Sequence, residues 1–572
     1  MKFSMRREIG LYGAALVVAW LLRFAFLGRA PLSEAEATLA LQALGLARGQ
    51  EMLLGPHPAY LLFSGAWMFL FGSGNAVARF WPALVGGLVA LAPVFFRVQL
   101  GRRPALLLAF FLAIDPGLVA LSRQAGSQSL AVTFLLLALG LWLARRPVWA
   151  GAMAGLALLS GPQIWPGLLA LGIALWAAGP RDLPVQGPAA IEDRPIWRTA
   201  LWALLAVLLL AGTLFFVFPR GLSAMAASLP AYLAVWTTSS GLSLGLVLAA
   251  LLFYAFLPVV FGLTGLLVGR RLELHRFLGA WALVALALAL LPPGRTMEGL
   301  LWVVVPLWAL TARQVDAYMR VPSASRLTVI GQAVLATAIL IFVSFDILAI
   351  SNSITAQQDY APEIIALVGA LVLLLATSLL VAWGWNGRSA GYGVLWSLMV
   401  ILFVFTLSAT WNASGLSRRG TAELWQTGPQ FVDENLLTDT LQEFEKWNIN
   451  TTYPIDTAVV GVPSPALQWA LRNTANVSYV DFLPATAAPA VVITPDQPEL
   501  ALSATYRGQN FVLGQQPTWY LILPHEWLRW LYYREAPLEK QPIILWARID
   551  LFPESDLLSE ESPPSQDGPG IE

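Results

Sequence analysis

The chain has 572 residues, 57% of them hydrophobic and only 12% charged, with a mean hydropathy of +0.66. Soluble globular chains carry about 25% charged residues, so this composition excludes them. Lys plus Arg equals Asp plus Glu at 34 each, and this zero net charge gives no sign of a nucleic-acid partner. Cysteine is absent, which removes disulfides, thiolate nucleophiles and Cys-based metal sites.

The residues Met1 to Glu8 precede an apolar run that continues to Leu27 without a small-residue cleavage site. That pattern is an uncleaved first helix rather than a signal peptide. Apolar runs suited to a bilayer, which needs about 17–25 residues, fall near 9–28, 77–97, 104–121, 128–144, 147–160, 164–178, 199–218, 243–268, 277–292, 297–312, 327–350, 362–385 and 391–411. The pair 147–160 and 164–178 is short and joined by Ser160-Gly161-Pro162, as in a hairpin.

The loops between these runs alternate in basic content. One set holds Lys2, Arg6, Arg7, Arg97, Arg102, Arg103, Arg145, Arg146, Arg181, Arg194, Arg198, Arg270, Arg271, Arg276, Arg313, Arg320, Arg326 and Arg388. The other holds only Arg29, Arg48, Arg79, Arg123, Arg220 and Arg295. Cytoplasmic loops retain Lys and Arg, so the first set is expected inside. The apolar segment Ala59–Gly72 would invert every later loop if it crossed, so it is expected to lie on the outer surface as an interfacial helix. The expected fold is an all-α polytopic membrane protein of about 13 transmembrane helices in the plasma membrane, with a cytoplasmic N-terminus and an extracytoplasmic C-terminal α/β domain.

The membrane domain spans residues 1–412 and has a first outer loop at 29–76, where Glu34–Ala47 has helical periodicity; a second outer segment is 219–242. Beyond Trp411 the composition becomes that of a soluble domain, residues 413–553. There Thr457–Val462, Val477–Asp481, Val491–Thr494 and Ala504–Leu513 read as strands, with Ser464–Arg472 as a helix. Trp519, Trp527, Trp530, Tyr532, Tyr533 and Trp546 suit an aromatic surface at headgroup level. The acidic, Ser- and Pro-rich tail 554–572 reads as disordered. No internal repeat is evident.

Few residues can carry chemistry. Glu34 and Glu36 follow the first span, where a carboxylate could act as general base at the membrane surface. The alternative is a capping box, with Ser33 as N-cap and Glu36 as its partner, which leaves Glu34 free. His57, in Gly55-Pro56-His57-Pro58, suits proton transfer, metal ligation or a polar turn. Asp115, at the outer end of the third span, must pair or line a cavity, because a carboxylate in lipid is costly. Arg123 and Arg295 are outer arginines able to grip a lipid phosphate through two N–H donors or to anchor at the surface. Arg23 lies inside the first span and is expected to snorkel to the outer headgroups or pair with an acid, while Glu298 and Asp346 are weaker candidates near outer helix ends.

In order along the chain come Ser33-Glu34-Ala35, the His57-Pro58 turn with an apolar helix ending Leu70-Phe71-Gly72, Ala78-Arg79-Phe80, and Ser122-Arg123. This arrangement resembles the polyprenyl-phosphate-dependent glycosyltransferases with the C-type membrane fold, the protein-mannosyltransferase and aminoarabinose-transferase superfamily. Trp469-Ala470-Leu471-Arg472 is similar to an element in the outer domain of some bacterial and archaeal members. The resemblance implies inverting transfer of a sugar from a polyprenyl-phosphate donor to an acceptor at the outer face. Glu34 or Glu36 would be the base, Arg123 and Arg295 would hold the carrier phosphate, and His57 and Asp115 would line the cleft. The family's first-loop motif is usually Asp-Glu, and here Ser33 stands at the Asp position. The family also often has an acid shortly after the Ser-Arg element, where this chain reads Gln124 to Gln128 without one. A second reading is therefore a non-catalytic relative that binds lipid-linked sugar or scaffolds envelope assembly. A transporter is a third reading, and the missing repeats count against it. The sequence leaves a divalent cation requirement open.

Overall fold

The computed structural model describes residues 5–178, 196–269, 272–320, 326–417, 422–426, 428–447, 455–497, 499 and 502–552. The loop around Arg181 and Arg194, the pair Arg270 and Arg271, and the tail 554–572 lie outside these residues. The chain divides into two compact units, and the division follows no single cut in the sequence. One comprises Met1–Ala30, Gln42–Thr427 and Thr518–Pro537; the other comprises Pro31–Leu41, Gly428–Pro517 and Leu538–Glu572.

The first unit is helical. Among the described residues, five helical stretches are long and apolar enough to cross a membrane: Asn75–Leu100, Glu273–Leu290, Met297–Arg320, Arg326–Thr355 and Ala361–Ala413. Two bent pairs also qualify, and shorter apolar helices include Gln128–Leu143, Pro147–Leu159 and Ile196–Gly212. The bends have identifiable causes. The run expected at 104–121 breaks between Ile114 and Pro116 at 51°, and that expected at 243–268 breaks at Ala255 by 85°. Pro116 and Pro258 have no N–H to give the carbonyls of Leu112 and Tyr254, so each interrupts the i→i−4 ladder. The second outer segment contains a helix, Arg220–Ala234.

Burial separates helices of similar hydrophobicity. Met297–Arg320 is almost wholly buried, with Trp302 and Trp308 among its core residues. Ala361–Ala413 leaves Ile365, Val372, Leu375 and Leu380 exposed, an apolar surface suited to lipid. Close helix packing relies on small residues. Gly151 and Gly155 of Pro147–Leu159 face Ile196–Gly212, where a Cβ on Gly151 would overlap the Ala200 carbonyl and one on Gly155 would lie 3.0 Å from the Leu204 carbonyl. This is a Gly-x-x-x-Gly seam of the kind that brings membrane helices together.

The second unit is a five-stranded sheet of order β2-β1-β3-β5-β4, comprising β1 Thr457–Val460, β2 Val477–Val480, β3 Val491–Pro495, β4 Tyr506–Pro517 and β5 Leu538–Arg548. β1 runs parallel to β2 and β3, with Thr457 opposite Val477 and Val491. β3–β5 and β5–β4 are antiparallel, with Val491 opposite Ala547 and Tyr506 opposite Arg548. The buried run Val491, Val492 and Ile493 marks β3 as the central, two-sided strand. The helix Glu434–Trp447 buries Leu437, Leu441 and Phe444, a stripe at i, i+4 and i+7.

The expected aromatic surface is corrected in two places. Trp530 is fully buried and packs edge-on against Trp519 and Trp527 at 5.7 and 5.6 Å. Trp546 belongs to β5, where its Nε1 donates to Thr494 Oγ1 at 3.0 Å.

Candidate functional site

Three arginines hold the chain where the first helix, Met5–Phe24, gives way to the loop that follows it. Arg123 Nη1 donates to the carbonyls of Leu22, Arg23 and Ala25 at 2.9, 2.9 and 2.8 Å. Arg79 Nη1 donates to those of Leu27 and Ala30 at 3.3 and 2.7 Å. The last carbonyls of a helix have no partners within it, and a cation at that end also meets the negative pole of the helix dipole. Arg23, expected to snorkel or pair, is instead fully buried, with Nη1 on the carbonyls of Ala19 and Ala113 at 3.0 Å each.

Asp115 is buried and works structurally. Its Oδ1 accepts from Leu118 N–H at 2.8 Å, capping Pro116–Ser122, and its Oδ2 accepts from Trp308 Nε1 at 2.8 Å. The carboxylate therefore fixes the break and ties it to the buried helix Met297–Arg320. Arg123 spends only Nη1 of its planar fork on carbonyls, so other donors remain for a ligand.

A second polar group gathers residues from four separate segments. His57 Nδ1 lies 2.7 Å from Ser127 Oγ. The adjacent Gln128 donates from Nε2 to Glu298 Oε1 at 2.7 Å, and Gln163 Nε2 donates to Glu298 Oε2 at 2.5 Å. Gly161, at φ +91°, lets the Ser160–Gln163 turn press onto the His57 turn; a Cβ there would overlap the Pro56 carbonyl and lie 2.9 Å from His57 Nδ1. Burial pushes the His57 imidazole down to about 4, so it is neutral at pH 7. A neutral imidazole is a hydrogen-bonding group rather than a cation for phosphate. Arg295, three residues before Glu298, donates from Nε to the Leu290 carbonyl at 3.0 Å and from Nη1 to that of Leu242 at 2.8 Å. It thereby caps the helix Glu273–Leu290 and keeps Nη2 for a ligand.

A third group is fully interior to the first unit. Tyr254 donates its hydroxyl to Glu423 Oε2, and the Arg534 guanidinium lies 3.9 Å from the same oxygen. Arg534 also sits 4.4 Å from the Trp530 ring centre. Burial raises the Glu423 carboxyl, opposed by the Arg534 charge.

In the second unit, Ser33 and Glu36 form the capping box. Ser33 N–H donates to Glu36 Oε2 at 3.0 Å, and Glu36 N–H donates to Ser33 Oγ at 3.4 Å. Glu36 is buried there, at the start of the helix Glu34–Ala47. Glu34 differs from the expected free carboxylate. Its Oε1 accepts from Ser464 Oγ at 2.5 Å and its Oε2 from Ala466 N–H at 3.0 Å, at the N-terminus of Pro465–Ala470. In the same region Arg472 stacks over Trp469, 4.3 Å from the ring centre, and lies 4.0 Å from Glu434.

The structure thus joins the His57 and Arg295 segments through Gln128 and Glu298, and sets Asp115 near the Arg23 brace. Sequence reasoning passed over Ser127, Gln128, Gln163, Tyr254, Glu423 and Arg534. Polar side chains at the ends of apolar helices were the available signal. Among the described residues no three His, Asp or Glu side chains gather into a metal-binding group.

This chain has the fold of ArnT from Cupriavidus metallidurans. The structure of ArnT from Cupriavidus metallidurans bound to undecaprenyl phosphate is similar at a TM-score of 0.54 and 15% identity, covering 96% of this chain and 99% of that one. The same protein in its apo state gives 0.52 and 15%, over 95% and 98%. An Archaeoglobus fulgidus oligosaccharyltransferase complexed with zinc and sulfate gives a TM-score of 0.31 at 15% identity, over 82% of this chain and 62% of that one. No family model and no curated protein matches the sequence.

Proposed function

We propose that this protein is a membrane glycosyltransferase that moves a sugar from a polyprenyl-phosphate donor to an acceptor at the outer membrane face. The observation that carries the reading is the near full-length likeness to ArnT bound to undecaprenyl phosphate. The topology proposed with it has thirteen crossings, the N-terminus inside and the sheet unit outside.

Glu34 is the proposed base. Each of its oxygens uses one lone pair on Ser464 or Ala466, leaving another to take a proton from the acceptor. The acceptor oxygen or nitrogen attacks the anomeric carbon as the carbon–oxygen bond to phosphate breaks. Polyprenyl phosphate leaves with the electron pair, and the anomeric configuration inverts. Arg295 and Arg123 are proposed to stabilise the charge on the departing phosphate, since guanidinium groups bind such oxygens strongly. Glu36 and Asp115 keep structural roles as caps.

A non-catalytic lipid-sugar binder is the second reading. The observation favouring it is that both first-loop carboxylates already accept backbone or hydroxyl hydrogen bonds. The test is transfer from short-chain polyprenyl-phosphate sugars by purified protein in lipid nanodiscs. The glycosyltransferase reading expects transfer by the parent and none by Glu34→Gln, with carrier binding retained. Transfer gained only in Ser33→Asp would support the binder, and full transfer by Glu34→Gln would remove Glu34 from the mechanism.

A further inference from the structure

The Glu298 carboxylate stands in an unusual setting. It is drawn from the short turn Met297–Leu300 and held between the carboxamides of Gln128 and Gln163, which begin or precede two other helices. Both neighbours are neutral donors. The nearest cation in sequence, Arg295, directs Nε and Nη1 to the carbonyls of Leu290 and Leu242. A partly buried carboxylate without a paired cation is costly to keep and is rarely retained for stability alone.

Two amide donors fix the carboxylate's plane while using one lone pair on each oxygen, so one direction on each remains open. Gln128 Oε1 is buried and accepts no hydrogen bond among the described residues, which adds an acceptor beside the carboxylate. The His57–Ser127 pair is contiguous with it through Ser127-Gln128. The group therefore offers surplus acceptors at the outer end of apolar helices. Sugar hydroxyls are donors that match this surplus, whereas a phosphate, which brings chiefly acceptors, does not.

We infer that Glu298, Gln128 and Gln163 form the hydroxyl-recognition site for the transferred sugar, distinct from the groups that hold the carrier phosphate. This assignment rests on the glycosyltransferase reading above. It also bears on the acid missing after Ser122-Arg123. Gln128 lies in that stretch, and Glu298 brings a carboxylate to it from 170 residues away.

The experiment measures binding of two probes in nanodiscs: farnesyl phosphate alone, and farnesyl-phosphate-linked hexoses and pentoses. Removing an acceptor of hydroxyl hydrogen bonds with Glu298→Gln should weaken the preferred sugar-bearing probe by about ten- to a hundredfold. Binding of farnesyl phosphate should stay within about twofold of the parent. Gln163→Leu, which keeps the volume and all charges, should show the same selective loss and guards against misfolding of the first variant. Equal binding of the sugar-bearing probe by parent and both variants overturns the site. Parallel loss of both probes makes Glu298 a structural residue and also overturns it. A parent that binds farnesyl phosphate but none of the sugar-linked probes overturns the glycosyltransferase reading itself, and this inference with it.

Discussion

Lowering the pH should destabilise the folded protein through His57, and His57→Asn should remove that part of the loss. The folded state holds the imidazole neutral, down near 4, because burial beside Ser127 and Gly161 strips its water. In the unfolded chain it titrates near 6.5. The unfolded state therefore binds the extra proton, so the stability is fully present above about pH 6.5 and is lost as pH falls toward 4. Linkage between these two values gives about 2 kcal/mol at pH 5 and about 3 kcal/mol at pH 4. For a chain of this size 2 kcal/mol is a fall of about 2 °C in Tm. Thermal unfolding of the nanodisc protein, followed by tryptophan fluorescence at pH 7.5 and 5.0, measures it. His57→Asn keeps a polar group facing Ser127 but does not titrate. Carboxylates that titrate in both proteins cancel in the comparison. If parent and variant lose the same Tm between the two pH values, burial of His57 does not control its charge and the argument fails.

Arg123→Ala should lower stability by about 1.5–3 kcal/mol by stranding the carbonyls of Leu22, Arg23 and Ala25, with Arg123→Lys restoring only part; denaturation and carrier binding read both roles. Gly151→Val should push apart the helices Pro147–Leu159 and Ile196–Gly212 at a cost of about 1–3 kcal/mol, seen as a lower Tm. Arg534→Leu should cost about 3–5 kcal/mol by leaving Glu423 buried without its cation, and adding Glu423→Gln should recover most of it. Glu36→Gln should cost about 1 kcal/mol, because the amide can still accept the Ser33 N–H bond but loses the charge that favours a helix N-terminus.

What the sequence made legible was whatever depends on neighbouring residues. Uniform apolarity gave most of the helices, and the Ser33-x-x-Glu36 spacing gave the capping box. The β-branched runs at 457, 477 and 491 gave three strands. The helix Glu434–Trp447 was missed although Leu437, Leu441 and Phe444 mark one face, because its charged residues blend with the surrounding loop. β5 was obscured because Trp546 groups in sequence with the aromatic residues of Thr518–Pro537, a segment that clusters with the other unit. The breaks at Asp115 and Ala255 lie just before Pro116 and Pro258, yet a proline alone does not fix how far a membrane helix bends. Polar contacts were the least legible. Glu34 meets Ser464 across 430 residues and Glu298 meets Gln163 across 135, and no local pattern encodes such pairings.

Backbone capping sorts the charged candidates more sharply than their sequence positions do. Asp115 gives one oxygen to a helix N-terminus and the other to an indole, and it is buried. Glu36 is likewise buried in its cap. Neither needs a ligand to account for its charge. Glu34, Arg123 and Arg295 are also oriented by backbone groups, but each is only partly buried and keeps hydrogen-bonding capacity beyond those bonds. Orientation by peptide dipoles rather than by counter-ions leaves a charge fixed in direction and not neutralised. Such a group can meet charge developing on a substrate without first breaking an ion pair, which is the condition for electrostatic preorganisation. Glu298 satisfies the same condition through two side-chain amides. The caps that read as structure in the sequence are therefore also what aims the charges proposed to act.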